Sequence, residues 1–493
     1  MRSLPLPRES PTQRGRRTRW AVVAESLRRT LASGSRQAGE LLPSTRDLAL
    51  SFRVHRQTIM VALDALCAEG LLEAEPRRGF RVAAPEAGVP LPRGKLRPQA
   101  FHFRVASATE SGPSAPAAIR YPLHAATADP ALLPMAELRS AYAHVLARHG
   151  VGALEDNSEW GHAGLRAELS SYLRRARALQ PESLLVTHGS QEGIALVAQT
   201  LLGPGDAVAV EDPGYFPAWQ AFRACGAEVL PVPVDEQGLR VDLLGRLLER
   251  RRVRLVYLTP QHQFPTTVLL STPRRQALLE LTLARGVPIL EDDYHHEYHF
   301  RGAPQPPLAA SNAAPHVLYV ASLSKLVAPG VRIGMLCGST ELLTTLAARR
   351  RITSRSGDGV TQAALADWIA DGGFERHVRR ARRAYAERRE AAIAVLQSAA
   401  SEVALELTPP DGGLALWTRW PEHSVAELAR RALARGVAVL PGTLASASGQ
   451  SNGIRIAYSR VPPERFAEGI RLLVAEARKQ EPKSRATKAS RGE

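Results

Sequence analysis

The sequence predicts an α/β protein: a small helical module in front of a large body built on a mostly parallel sheet. Two observations carry this. From about residue 121 onward, seven short apolar runs, "LLVTHG", "AVAVED", "AEVLPVPV", "RLVYLTP", "VPILEDD", "VLYVAS" and "RIGMLCG", are separated by helical patterns such as "STPRRQALLELTLARG". The runs are apolar throughout rather than alternating, as strands are when crossover helices cover both faces. Upstream, two short helical patterns joined by a tight break precede "LLEAEPRRGFRV", which reads as a two-stranded ribbon.

Length and composition bound the rest. A chain of 493 residues is too long for one ordinary domain. Its three cysteines, Cys67, Cys225 and Cys337, are far apart. That argues against a disulfide framework or a structural zinc site and fits a reducing cytoplasm. No stretch of about 18 apolar residues reads as a membrane span, so no membrane partner is expected. The basic N-terminus lacks the apolar core of a secretory signal. Net charge is +16, and residues 1–100 hold 18 Lys and Arg against 9 Asp and Glu, or +9 of it. A basic N-terminal fifth predicts a polyanionic partner.

Composition breaks divide the chain. Residues 1–17 are Arg- and Pro-rich and are expected to be a disordered tail. Residues 85–120 are rich in Pro, Gly and Ser and read as a linker. Residues 479–493 read as a second disordered basic tail.

In the module, Ser44 followed by Asp47 predicts a capped helix running to about Phe52. After the break "RVH", a helix is expected from Arg56 to about Glu69, with Ile59, Leu63 and Leu66 on one apolar face. Gly70 stands where that helix should stop, and Arg77, Arg78 and Gly79 form the ribbon tip. An earlier helix, about Trp20 to Ala32, would complete a three-helix core. The second helix of such a pair enters the DNA major groove, led here by His55, Arg56, Gln57 and Thr58. Arg bonds guanine, Gln bonds adenine and Thr bonds phosphate; Ser44, Arg46, Arg78 and Gly79 are expected to complete the double-stranded DNA face. Through "LPSTRDLA" and the "EGLL…GF" wing, residues 18–84 resemble the winged helix-turn-helix of GntR-type bacterial regulators. His55 departs from that pattern, which usually has a small capping hydroxyl there.

In the body, the chemistry-bearing residues fall at strand ends, where open parallel sheets bind ligands. Gly189, Ser190 and Gln191 open a helix after "LLVTHG"; Tyr215 follows "AVAVED"; Asp292 and Tyr294 end "VPILEDD"; Ser322, Ser324 and Lys325 follow "VLYVAS", with Arg332 seven residues on. A helix N-terminus with hydroxyls and an Arg suits a phosphate, a lysine amine suits an aldehyde, and a carboxylate suits a protonated ring nitrogen. Those are the parts of a pyridoxal 5'-phosphate site.

Residues 121–478 resemble the fold type I aminotransferases, with a smaller C-terminal lobe expected over about 351–478. The resemblance implies that Lys325 is the Schiff-base lysine and that Asp292 pairs with the pyridine nitrogen. It further implies that Tyr294 bonds the ring's phenolic oxygen, that Tyr215 stacks on the ring, and that Ser190, Gln191, Ser322 and Arg332 hold the phosphate. Arg455 would take an effector carboxylate. Glu211 and Asp212 are given no ligand role. The stretch "EDDYHHEYHF" has the composition of a metal site, but His295, His296 and His299 have no second ligand cluster, so no metal is expected. Phe264 and Thr267 in "QHQFPTT" replace the asparagine and glycine of the enzyme pattern, and a tyrosine that commonly reaches the partner subunit's phosphate is missing, with Trp160 nearby.

Both halves, in this order, resemble the MocR/GabR-type subfamily of GntR regulators. The resemblance implies a homodimeric, cytoplasmic, pyridoxal-phosphate-dependent transcriptional regulator sensing a small amine or amino-acid-like effector. The alternatives are a working aminotransferase with a fused DNA-binding module and a purely structural dimerisation domain with no cofactor, the latter discouraged by Lys325 beside so many phosphate-binding groups.

Overall fold

The computed structural model describes residues 18–33, 36–76, 78–84, 119–155, 157–311 and 315–479. The expected N-terminal tail, nearly all of the expected linker and C-terminal tail, and Arg77 lie outside them. The chain divides into two compact units, residues 1–105 and 106–493.

In the first unit, α1 (Arg19–Ala32), α2 (Thr45–Phe52) and α3 (Arg56–Ala68) precede the antiparallel ribbon β1 (Leu72–Glu75) and β2 (Gly79–Val82). Ser44 caps α2 by accepting from the Asp47 N–H at 3.2 Å while its hydroxyl meets the Asp47 carboxylate at 2.6 Å. Such a cap stabilises a helix by about 1 kcal/mol. At the departure noted above, His55 caps α3 with its imidazole, whose Nδ1 accepts from the Gln57 N–H at 3.3 Å. A ring nitrogen therefore replaces the usual hydroxyl as the capping acceptor. Ile59, Leu63 and Leu66 are fully buried with Val23, Leu27, Leu48 and Phe52. Arg28 of α1 forks onto Glu69 at the end of α3, with contacts of 2.6 and 3.0 Å.

The second unit starts with β3 (Tyr121–Pro122), α4 (Met135–His149) and α5 (Ala163–Arg177). Then come β4 (Ser183–Thr187), α6 (Ser190–Leu201), β5 (Ala207–Asp212), α7 (Phe216–Ala224), β6 (Glu228–Asp235) and β7 (Gly238–Leu239). α8 (Val241–Arg250), β8 (Val253–Leu258), α9 (Thr272–Arg285), β9 (Ile289–Asp293), β10 (Val317–Ser322) and β11 (Gly334–Gly338) complete the layer. The eight strands are ordered β4-β11-β10-β9-β8-β5-β6-β7. The run from β10 to β6 is parallel; β11 is antiparallel to both its neighbours, and β7 is antiparallel to β6. The reversals follow from loop length: the segments between β10 and β11 and between β6 and β7 are too short to hold a crossover helix. The β10–β11 loop carries Lys325 and Arg332, so the reversal brings both back to one end of the sheet.

α10 (Thr340–Thr353) and α11 (Gly359–Ala370) follow, and α11 packs on α4 and the large sheet. The long α12 (Gly373–Ala400) leads to β12 (Glu406–Leu407), β13 (Ala415–Arg419), α13 (Val425–Ala434), β14 (Val437–Ala438), β15 (Leu440–Pro441), β16 (Gly453–Ala457) and α14 (Pro463–Arg478). Strands β12-β13-β16-β15 form an antiparallel sheet with its own core. That core includes Tyr121 and Leu123, because β3 pairs in parallel with β14 and the Tyr121 hydroxyl donates to Glu468 at 2.8 Å. The start of the body is thus stitched into its C-terminal lobe.

Candidate functional site

At the carboxyl ends of the parallel strands lies a cavity of about 410 Å³. Its lining contains Ser190, Gln191, Tyr215, Asp292, Tyr294, Ser322, Lys325, Arg332 and Arg455, so the structure brings every residue expected to meet the cofactor or the effector to one place.

One side is built for an anion. α6 begins at Ser190 with Gly189 at φ 75°, where a side chain would be strained and its Cβ would come 3.7 Å from Arg332 and 3.9 Å from the Ser322 hydroxyl. Helix N-terminal N–H groups, a hydroxyl and a guanidinium therefore converge there. Arg332 is itself held by a 3.0 Å bond to the His188 carbonyl, and the Ser322 hydroxyl accepts from the Ser324 N–H at 3.1 Å. The Gln191 amide donates to the Pro217 carbonyl at 3.0 Å, so it ties α6 to α7 at the rim.

The floor is acidic. Asp292 is 3 % exposed, with Oδ2 accepting from the Tyr257 hydroxyl at 2.9 Å and Oδ1 having no partner in the described structure. Burial pushes its carboxyl up to about 7, against the Tyr257 hydrogen bond. A buried carboxylate oxygen of this kind calls for a cationic donor. Across the cavity, burial lowers the Lys325 amine to about 8, helped by the charge of Arg455 and opposed by Asp292. An amine so placed is partly neutral near physiological pH and nucleophilic. The Tyr298 hydroxyl fixes the Lys325 carbonyl at 3.2 Å.

Arg455 projects from β16 and is 3 % exposed, with its guanidinium 4.9 Å from the Phe264 ring centroid. Phe264 meets Tyr215 edge-on, with centroids 5.2 Å apart. The Tyr294 hydroxyl donates to the His262 carbonyl at 2.6 Å. Thr267, where the enzyme pattern has glycine, has φ 66°, a conformation that costs a β-branched residue about 1–3 kcal/mol. Trp160 is not among the residues lining the cavity and instead meets Arg166.

The acidic, histidine-rich stretch divides its side chains. Glu291 accepts from the Leu308 and Ala309 N–H groups, Asp292 faces the cavity, and Asp293 accepts from the Tyr319 hydroxyl at 3.0 Å and meets His296 at 2.9 Å. Burial works against the Asp293 charge, but His296 and Arg177 hold its carboxyl below the usual range. Among the described residues no three His, Cys, Asp or Glu side chains are grouped to hold a metal ion. Glu211 accepts from the Thr259 N–H and hydroxyl, and Asp212 accepts from the Ala447 N–H; Glu211 is raised to about 7 by burial.

Sequence reasoning missed His124, Ala125, Ala126, Thr127 and Leu440, which also line the cavity. No motif marks them; the β3–β14 pairing brings the first four there.

In the first unit, Ser44, Arg46, His55, Arg56, Gln57, Arg78 and Gly79 are exposed and Thr58 is half-buried. Arg56 donates to the Thr45 hydroxyl at 3.0 Å, which joins the starts of α2 and α3. The Ser44 hydroxyl and His55 Nδ1 are engaged in their caps.

The chain matches the family described as "Aminotransferase class I and II" over residues 147–473 and "Bacterial regulatory proteins, gntR family" over residues 21–82. It is 30 % identical to the probable rhizopine catabolism regulatory protein MocR of Rhizobium meliloti, across 95 % of this chain and 96 % of that protein. It is 34 % identical to the transcriptional regulator TauR of Rhodobacter capsulatus, across 89 % and 92 %. Among solved structures, the α-aminoadipate aminotransferase LysN of Thermus thermophilus, complexed with N-(5'-phosphopyridoxyl)-L-leucine, aligns with a TM-score of 0.68 and 33 % identity over 72 % of this chain and 92 % of that one. This chain belongs to the aminotransferase class I and II family and, with its N-terminal gntR-family domain, to the MocR/GabR-type regulators.

Proposed function

We propose that this protein is a cytoplasmic, homodimeric transcriptional regulator that reads double-stranded operator DNA with its N-terminal module. Its body would hold pyridoxal 5'-phosphate and respond to a small amine or amino-acid-like effector. The observation that carries the reading is the joining, in one chain, of a capped helix-turn-helix to a cavity that gathers a lysine amine, an unpartnered buried carboxylate oxygen and an anion cradle. The relatives that align along nearly the whole chain are named as regulators.

The cavity's own groups fit the cofactor. Ser190, Ser322, Arg332 and the start of α6 would hold its phosphate, with Gln191 fixing the rim. Asp292 Oδ1 would receive the ring nitrogen's proton, Tyr215 would cover a ring face, Tyr294 would reach the phenolic oxygen, and Lys325 would carry the cofactor covalently. When bound, the cofactor supplies an aldehyde that reacts reversibly with amines. Arg455 would orient an effector carboxylate. On the DNA side, Arg56, Gln57 and Thr58 lead the reading helix, with Arg46, Arg78 and Gly79 flanking it; Ser44 and His55 act chiefly by holding the two helix starts.

An effector that favours one of two states of the body by about 1–3 kcal/mol suffices for regulation. The test is an operator-binding titration on the full chain, with and without candidate amino acids. Operator affinity or bound-DNA geometry should shift with an amine that also changes the cofactor's visible spectrum. An amine that changes the spectrum and leaves both unaltered overturns sensing.

Working aminotransferase activity is the second reading, favoured by the lowered Lys325 amine facing Asp292. Sustained keto-acid formation at ordinary enzyme rates would select it.

A further inference from the structure

His262 stands apart from the roles assigned above. It is fully buried, sits in the left-handed region at φ 55°, and neither ring nitrogen has a partner in the described structure. Two further buried histidines flank it with one unpartnered nitrogen each, Nε2 of His295 and Nδ1 of His299. Leaving buried polar nitrogens unpaired is costly, and a strained, unpaired histidine is a candidate for a functional role.

Their placement spans two pockets. His295 lines the Lys325 cavity, and His299 lines a separate pocket of about 220 Å³ between the segment after β9 and α12. His262 lies between: its ring centroid is 5.5 Å from that of His299, and a Cβ built on Gly413 would lie 3.6 Å from His262 Cβ and 3.7 Å from His295 Nδ1. The backbone closes tightly on the middle ring, since a Cβ on Gly412 would come 2.4 Å from His262 Cε1. The charged and titratable groups around the three rings are Arg455, Lys325, Tyr294 and Tyr298 beside His295, Asp293, His296 and Arg389 around His262, and Asp411, His296 and Arg382 beside His299.

We propose that His295, His262 and His299 form a proton path from the Lys325 cavity to the outer pocket. The proposal rests on the reading of that cavity as an amine-exchanging site. Lys325 enters as an ammonium, forms a carbon–nitrogen double bond to an aldehyde, and releases one water and one proton. A neutral imidazole accepts a proton at one nitrogen and gives up the one on its other nitrogen, so three in sequence move that proton out with each ring switching tautomer and none keeping a charge. With ring centroids 5.5 Å apart, transfer between His262 and His299 would run through one bridging water. None of the three histidines needs to touch the ligand for this; His262 and His299 act through His295.

The test uses the cofactor-free full chain mixed with pyridoxal 5'-phosphate, following the visible band in time. His262→Phe keeps a ring of similar size and removes both nitrogens, and His299→Phe breaks the outer end in case the first variant does not fold. Capture should slow by at least about 10-fold in either variant, and added imidazole should restore the rate by carrying the proton instead. The equilibrium band height should be unchanged. A folded variant that captures at the wild-type rate overturns the path, as does a slowed rate that imidazole leaves slow, which marks a packing role. Failure of the wild type to develop the band overturns the cofactor reading and the path together, whereas normal wild-type capture with unaffected variants overturns the path alone.

Discussion

The Arg455 guanidinium sits 4.9 Å from the centre of the Phe264 ring, so a residue that departs from the enzyme pattern packs against the group expected to read the effector. The ring presents its negative face to a buried cation, an interaction of about 0.5–2 kcal/mol. Phe264→Ala should therefore weaken binding of carboxylate-bearing effectors by roughly 2- to 30-fold, measured by titrating the cofactor's spectrum. Amines lacking a carboxylate should be affected much less. Equal losses for both classes would show that Phe264 shapes the cavity without tuning Arg455.

Lys325→Ala should abolish the covalent cofactor band while leaving the unfolding midpoint of the cofactor-free protein close to wild type. Because burial brings the Lys325 amine down to about 8, the rate of aldehyde capture should rise with pH and level off above about 8. An ordinary lysine amine would keep gaining to about 10.4. Borohydride reduction followed by peptide mapping identifies the lysine; a label elsewhere refutes the assignment.

Asp292 supplies a stability test. Its folded carboxyl is raised to about 7 from 3.8, so between those pH values the folded cofactor-free protein holds a proton that the unfolded chain has released. Stability from this group therefore falls as pH rises through the window. Asp292→Asn does not titrate, so the variant should match wild type near pH 4 and become the more stable by up to roughly 4 kcal/mol near pH 7. Denaturant midpoints at the two pH values read this out, and a difference independent of pH would refute it.

Arg177 is 2 % exposed and meets Glu297 at 2.5 Å and Asp293 at 3.7 Å. Arg177→Leu removes the shared cation from two carboxylates, leaving Asp293 with His296 and Tyr319 and Glu297 with Tyr172, and should cost about 3–5 kcal/mol of stability. A loss under about 1 kcal/mol would mean the network relaxes or takes up water.

On the DNA side, Arg56→Ala should cost about 1–3 kcal/mol and relax specificity at one base pair if Arg56 bonds a base edge. If it reaches only phosphate, affinity should fall evenly across sequences and the salt slope should drop by about one. Binding curves on operator variants at several salt concentrations distinguish the two. Losing the Thr45 contact also loosens the start of α3, so Thr45→Val serves as the control for that effect.

Much of this molecule was legible in its residues, because the deciding interactions are local. Ser44 and Asp47 cap α2 within four residues, and the apolar spacing of Ile59, Leu63 and Leu66 marks the buried face of α3. Seven apolar runs became seven strands of the large sheet, and the residues at their ends met in one cavity, because parallel strands share a carboxyl edge. What the tertiary structure alone decided are relations between distant segments. Pleating sends Asp292 to the cavity and Asp293 to Arg177 and His296, so one acidic stretch serves two environments. β3 joins β14 across more than 300 residues and carries His124 to the cavity wall, a pairing that no local pattern encodes. His262 is fully buried with Gly412 and Gly413 passing against it, and backbone closure of that kind depends on where distant segments meet rather than on either segment by itself.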